Sequence, residues 1–86
     1  MASTAEIKSQ IQSAIEQVQE AMGAIGGAQS QTENAIGAGT AATQDTGSPM
    51  PGEALGQWQQ AKEKLEEAIT LYQGGADTFE QYANSI

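Results

Sequence analysis

The 86-residue chain contains no cysteine, no histidine and no arginine. Without Cys no disulfide staples the fold, and the sequence carries no mark of its redox compartment. Without Cys and His a structural zinc site lacks its usual ligands. The same absences remove thiolate nucleophiles and the ordinary near-neutral acid–base group. The expectation is a protein that is not an enzyme, with no cofactor and no metal. Prolines are limited to Pro49 and Pro51, and aromatics to Trp58, Tyr72, Phe79 and Tyr82. No apolar run approaches the roughly 18 residues of a membrane span. The opening stretch, MASTAEIKSQIQ, has no basic segment followed by an apolar one, so no ordinary signal peptide is expected. Synthesis in the cytoplasm is the expectation, with export by a signal-peptide-independent machine left open.

Acidic charge is what the chain has in excess. Eleven Asp and Glu against three Lys give a net charge of −8. Phosphate backbones and anionic lipid surfaces are bound by clustered Lys or Arg, so neither nucleic acid nor a membrane surface is an expected partner. Eighteen residues are apolar and larger than Ala, Met1 included, which allows only a narrow core. A small chain with no disulfide and no metal is most readily stabilised by association.

Helical periodicity is strong. Ser3 and Glu6 stand as the ends of a capping box. Beyond them Ile7, Ile11, Ile15, Val18, Met22 and Ile25 follow, and from Ile11 the steps are 4, 3, 4 and 3, as for a and d positions of a heptad. With Ile15 at a, the pattern weakens at Gln29 and Thr32 and returns at Ile36. In the second half Leu55, Trp58, Leu65, Ile69, Tyr72, Ala76, Phe79, Ala83 and Ile86 fall at a and d, with Lys62 the polar intruder. Small residues recur every seven positions at g: Ala14, Ala21, Ala28, Ala35 and Ala42, then Ala54, Ala61, Ala68 and Gly75. Such ridges predict helices packed at the short end of the usual 8–10 Å separation.

Between the halves lies GAGTAATQDTGSPMPG, residues 37–52, holding both prolines and four of ten glycines. It reads as the turn of a hairpin, with Ser48 as N-cap and a proline in the first turn of the second helix. The expected fold is all-α: one domain, residues 1–86, an Ala-rich, coiled-coil-like antiparallel two-helix hairpin. Helix 1 is expected over about 4–43, the turn over about 44–51 and helix 2 over about 52–86. Gly37 and Gly39 leave the end of helix 1 anywhere between Ile36 and Gln44. Two arms of roughly 35 residues make a rod near 50 Å long, completed to a four-helix bundle by association. Gly26-Gly27 and Gly74-Gly75 interrupt the helices. If the arms fold back near residue 47, the pairs share a similar height and suggest a hinge or close crossing; the plainer reading is tolerated small residues.

The carboxylate pairs Glu16–Glu20 and Glu63–Glu67 read as a solvated outer face, partly balanced by Lys62 and Lys64. GAIGGA lacks the Lys and flanking strand of a phosphate loop. Trp58 sits on the seam beside the turn, where ordinary packing and a recognition anchor both fit. Leu71 and Tyr82 fall off the seam and, with Ala68, Gly75 and Thr78, form a second stripe in 3, 4 steps. The expected association face is Trp58, Leu71, Tyr72, Phe79 and Tyr82. Its close-packing ridge is Ala14, Ala21, Ala28, Ala35, Ala61, Ala68 and Gly75.

With this architecture the chain resembles the WXG family of small type VII secretion substrates and their actinobacterial relatives. Those are acidic, Cys-free helical hairpins that dimerise into four-helix bundles. The resemblance spans the whole chain at the level of helix, turn and helix. The order of Gly56, Gln57 and Trp58 differs from the family's Trp-x-Gly. Tyr72 is followed by Ala76 and Asp77 at four and five residues, and Tyr82 by Ile86, where the family's export signal is Tyr-x-x-x-Asp/Glu. The resemblance implies a protein–protein interaction module, a homo-oligomer or a hetero-dimer with a similar hairpin. A structural subunit that polymerises through the second stripe into a filament, shell or phage-like particle is the alternative. A small-molecule binder built on Trp58 and Tyr72 is a third.

Overall fold

The computed structural model describes residues 2–86. It consists of α1 (Thr4–Ala42) and α2 (Met50–Ser85), packed antiparallel as a hairpin of 65 × 18 × 15 Å. Among the described residues, no helix is long and apolar enough to cross a membrane.

Ser3 opens α1 as its N-cap: its hydroxyl oxygen accepts the Glu6 N–H at 3.2 Å and its carbonyl accepts the Ile7 N–H at 2.9 Å. These bonds satisfy donors that a helix start otherwise leaves without partners. Neither Gly37 nor Gly39 stops the helix. No described glycine has positive φ, so the left-handed C-terminal cap that glycine favours is not used. The helix runs on to Ala42, where the C-cap Thr43 donates its N–H to the Thr40 carbonyl at 3.3 Å and its hydroxyl to the Gly39 carbonyl at 2.7 Å.

Residues 43–49 make the connection. The Thr46 N–H bonds the Thr43 carbonyl at 3.3 Å, and the Ser48 N–H bonds the Thr46 hydroxyl at 3.2 Å. Helix α2 starts at Met50, earlier than the expected residue 52. Pro49, not Ser48, occupies the N-cap, with φ −78° and ψ −14°. Ser48 still accepts the Met50 N–H at 3.2 Å. Pro51 is accommodated in the first turn, where backbone N–H groups have no intrahelical acceptor. Helix α1 thus ends within one residue of the expected 43, α2 reaches two residues further into the glycine and proline tract than expected, and the rod is longer than 50 Å.

The heptad runs the whole length of α1. Ile11 and Ile15 are buried, and Val18, Met22, Ile25, Gln29, Thr32, Ile36, Gly39 and Thr43 follow as half-buried residues in 3, 4 steps. The seam thus passes through its polar members. The Thr32 hydroxyl donates to the Ala28 carbonyl at 2.8 Å, as Thr43 does to Gly39, so each satisfies its polarity within its own helix. On α2 the a positions turn inward: Leu55, Lys62, Ile69 and Ala83 are half-buried and Ala76 is buried.

Lys62 is not part of the outer charge balance. It lies in the seam and reaches Glu33 of α1 at 2.9 Å, whereas Lys64 pairs with Glu67 at 3.3 Å on the outside.

The contacts of Glu33 with Lys62 and of Gly39 with Leu55 fix the register. They place Gly26-Gly27 level with residues near 68, and Gly74-Gly75 level with residues near 20. The two pairs therefore differ in height by roughly 10 Å. A Cβ added at any of the four would meet nothing within 4 Å. The pairs share no height, and no close crossing is seen at them. The glycine that does sit under packed neighbours is Gly39, where a Cβ would lie 3.1 Å from Leu55 Cδ2 and 3.5 Å from Trp58 Cζ3.

Candidate interaction surface

Two single-stripe helices leave much of their surface uncovered. Among the described residues, Ile11, Ile15 and Ala76 are the buried core, with Ile7 and Ala83 packed beside them. The d positions of α2 turn outward: Trp58, Tyr72, Phe79 and Ile86 remain 41–52% exposed, while Leu65 is half-buried. Off the seam, Leu71 is 76% and Tyr82 49% exposed. All five residues expected to form the association face lie on α2 with substantial exposure.

Their arrangement follows from heptad geometry. Around a helix the order of positions is c, g, d, a, so outward-turned d residues adjoin g and c. In an antiparallel pair the g positions of both helices lie on one flank and the e positions on the other. Two grooves run along the g flank. Ala28, Gln31, Thr32 and Ala35 of α1 line one with Trp58 and Ala61 of α2. Ala14, Ile15 and Val18 line the other with Leu71, Tyr72 and Phe79, over a floor that includes Gly75 and Ala76. A shallow saddle continues along α2 from Thr70 and Leu71 across Gly74 and Gly75 to Phe79 and Tyr82.

The small-residue ridge divides. Ala21, Ala28 and Ala68 are half-buried, whereas Ala14, Ala35, Ala61 and Gly75 are exposed along the grooves. Scans against family models, curated proteins and solved structures gave no match.

A further regularity is legible in the sequence once positions are assigned, although the apolar seam draws attention away from it. Ten of the eleven acids lie in the helices, Asp45 being in the turn. Glu16, Glu63 and Asp77 are at b, Glu33, Glu66 and Glu80 at e, and Glu6, Glu20, Glu53 and Glu67 at f. None is at c, d or g of either helix. The g flank holds Ala, Gln, Thr and the exposed aromatics, with Lys64 its one charge on α2. The helical c, d and g positions of a chain of net charge −8 thus hold no acid, although Glu63, Glu66 and Glu67 line a hollow with Thr70 and Leu71 at the edge of this face.

Proposed function

We propose that the protein is a protein–protein interaction module: a helical hairpin whose open flank is covered by another helical hairpin, completing a four-helix bundle. The carrying observation is its unburied apolar surface. The chain exposes 6193 Å² of surface, polar and apolar together. A compact folded monomer of 8.9 kDa exposes about 4,800 Å², so the excess is about 1,400 Å². A standard interface takes about 800 Å² from each partner. Part of the excess belongs to the rod shape, but Leu71, Tyr72, Phe79 and Tyr82 line adjoining hollows, with Trp58 in a separate groove roughly 20 Å along α2. Contiguous exposed apolar residues of this kind mark association sites.

The resemblance to WXG-like hairpins supports the same reading, since those also complete a bundle by pairing. A place in a type VII secretion locus is part of this proposal. An adjacent secretion ATPase or a sibling hairpin gene would support it.

The test is linkage between folding and association. A partner that binds only the folded chain raises its thermal midpoint. The midpoint is expected to rise with the protein's own concentration, or on addition of a hairpin encoded beside it. A midpoint indifferent to both overturns the reading.

A further inference from the structure

We infer that the helix lying over α2 belongs to a different, basic chain: an amphipathic helix with Lys or Arg at one end, seated along the outward side of α2 from Glu63 to Tyr82. This inference rests on the association reading and goes further by naming the partner's charge and the track it follows.

Two adjoining hollows define the track. Glu63, Glu66, Glu67, Thr70 and Leu71 line the first, and the second is the saddle from Thr70 and Leu71 across Gly74 and Gly75 to Phe79 and Tyr82. Thr70 and Leu71 belong to both, so the two form one continuous trough. It follows residues 63–82, about 28 Å of helix. One end carries three carboxylates, and the lining of the other carries none. Lys64 pairs with Glu67 at 3.3 Å, which leaves two negative charges in excess at the acidic end. Among the described residues, Glu63 and Glu66 meet no cation. Asp77 borders the saddle, and its carboxylate accepts from the Gln73 amide at 3.0 Å.

Charge selects the occupant. An acidic end running into an apolar trough is matched by an apolar helix with a cationic end. A second copy of this chain is a poor match, since it brings a net charge of −8 and only three lysines. Shape selects a helix. Helices seat on one another by ridges entering grooves, and small residues at the contact allow the closest axes. Gly74 and Gly75 lie between Leu71 and Phe79 in the saddle, and a Cβ added at either would meet nothing within 4 Å. Each glycine weakens α2 relative to Ala, and the hairpin gains no packing from them in return. Their open floor admits the backbone of a second helix, with Leu71 and Phe79 as the ridges beside it.

Fluorescence anisotropy of labelled synthetic helices titrated with the full chain tests this. The probe is a helix-forming peptide of Ala, Leu and Lys, about 20 residues long to match the trough. Its Leu residues follow helical spacing along one face, and its Lys residues are confined to one end. A control peptide carries Glu in place of Lys. The Lys peptide is expected to bind one to one, with affinity falling from low to high salt. The Glu peptide is expected to bind at least about tenfold more weakly. Glu63→Gln with Glu66→Gln is expected to weaken the Lys peptide by about tenfold. Glu16→Gln with Glu20→Gln, the same loss of charge at exposed α1 positions, is expected to leave it within about twofold. Gly74→Gln is expected to raise the melting point and yet weaken binding by about tenfold. Equal binding of the Glu peptide, equal loss from the two double variants, or binding unchanged by Gly74→Gln would each overturn the inference. A melting point that rises with the chain's own concentration or with a neighbouring hairpin, while the Lys peptide stays unbound, overturns the basic helix and leaves the interaction module standing.

Discussion

Glu33 of α1 and Lys62 of α2 join the helices through a 2.9 Å ion pair, Lys62 standing at an a position that α2 otherwise fills with apolar residues. Their side chains remain 59% and 30% exposed respectively. Exposed pairs contribute about 0–1 kcal/mol because water and salt screen them. The pair therefore marks the register more than it stabilises it. Lys62→Leu extends the apolar seam and is expected to raise stability by about 1 kcal/mol, or roughly 4–8 °C in Tm. A double-mutant cycle with Glu33→Gln and Lys62→Gln should give a coupling below about 1 kcal/mol. A larger coupling would show that the pair holds the hairpin together.

Glycine substitutions should divide by location. At Gly27 an added Cβ meets nothing within 4 Å, so Gly27→Ala should gain about 1 kcal/mol of helix propensity. At Gly39 the added Cβ would stand 3.1 Å from Leu55 Cδ2. Gly39→Ala should then gain less, or lose stability, and shift Trp58 emission as the indole moves. Equal thermal gains at the two sites would contradict the packing found beneath Leu55.

The half-buried Ala21 and Ala28 test the close-packed ridge. Overpacking costs about 1–3 kcal/mol per site. Ala21→Leu with Ala28→Leu should lower Tm by roughly 10 °C or more, or change the oligomeric state. Ser13→Leu with Ser30→Leu, at exposed f and b positions, is the matched control and should be milder. Melts and sizing chromatography on both double variants measure the difference. Identical behaviour would reduce the ridge to helix-favouring composition.

Thr32 lies half-buried in the seam, and its hydroxyl is bonded to the Ala28 carbonyl at 2.8 Å. Thr32→Val removes a donor and leaves that carbonyl its place in the helix ladder. It is expected to stabilise the fold by about 0.5–1 kcal/mol, seen as a higher midpoint in urea. A loss of stability would show that the hydroxyl bond outweighs the added apolar burial.

The seam was readable wherever its residues were large and apolar, as from Ile11 to Ile25. It faded at Gln29 and Thr32, because polarity masks position when the side chain satisfies itself locally. Lys62 read as an intruder for the same reason: its partner Glu33 lies on the other arm, and no local spacing reveals it. In the glycine and proline tract the end of α1 was legible to within one residue, while the start of α2 at Met50, two residues early, was not. Gly37 and Gly39 left that first end open between Ile36 and Gln44; in the fold Leu55 and Trp58 pack over Gly39, inside the helix.

The sequence by itself determined the all-α hairpin class, since the heptads, the Ser3 cap and the single proline cluster are local signals along one chain. It also settled the segregation of acids to b, e and f. The tertiary structure decided the register, the placing of the two glycine pairs about 10 Å apart in height, and which heptad positions of α2 turn outward. Those depend on how two surfaces interlock at a distance in sequence. Periodicity defines a helix face, but only packing against the other arm decides how far that face rotates and leaves Trp58, Tyr72 and Phe79 at the surface.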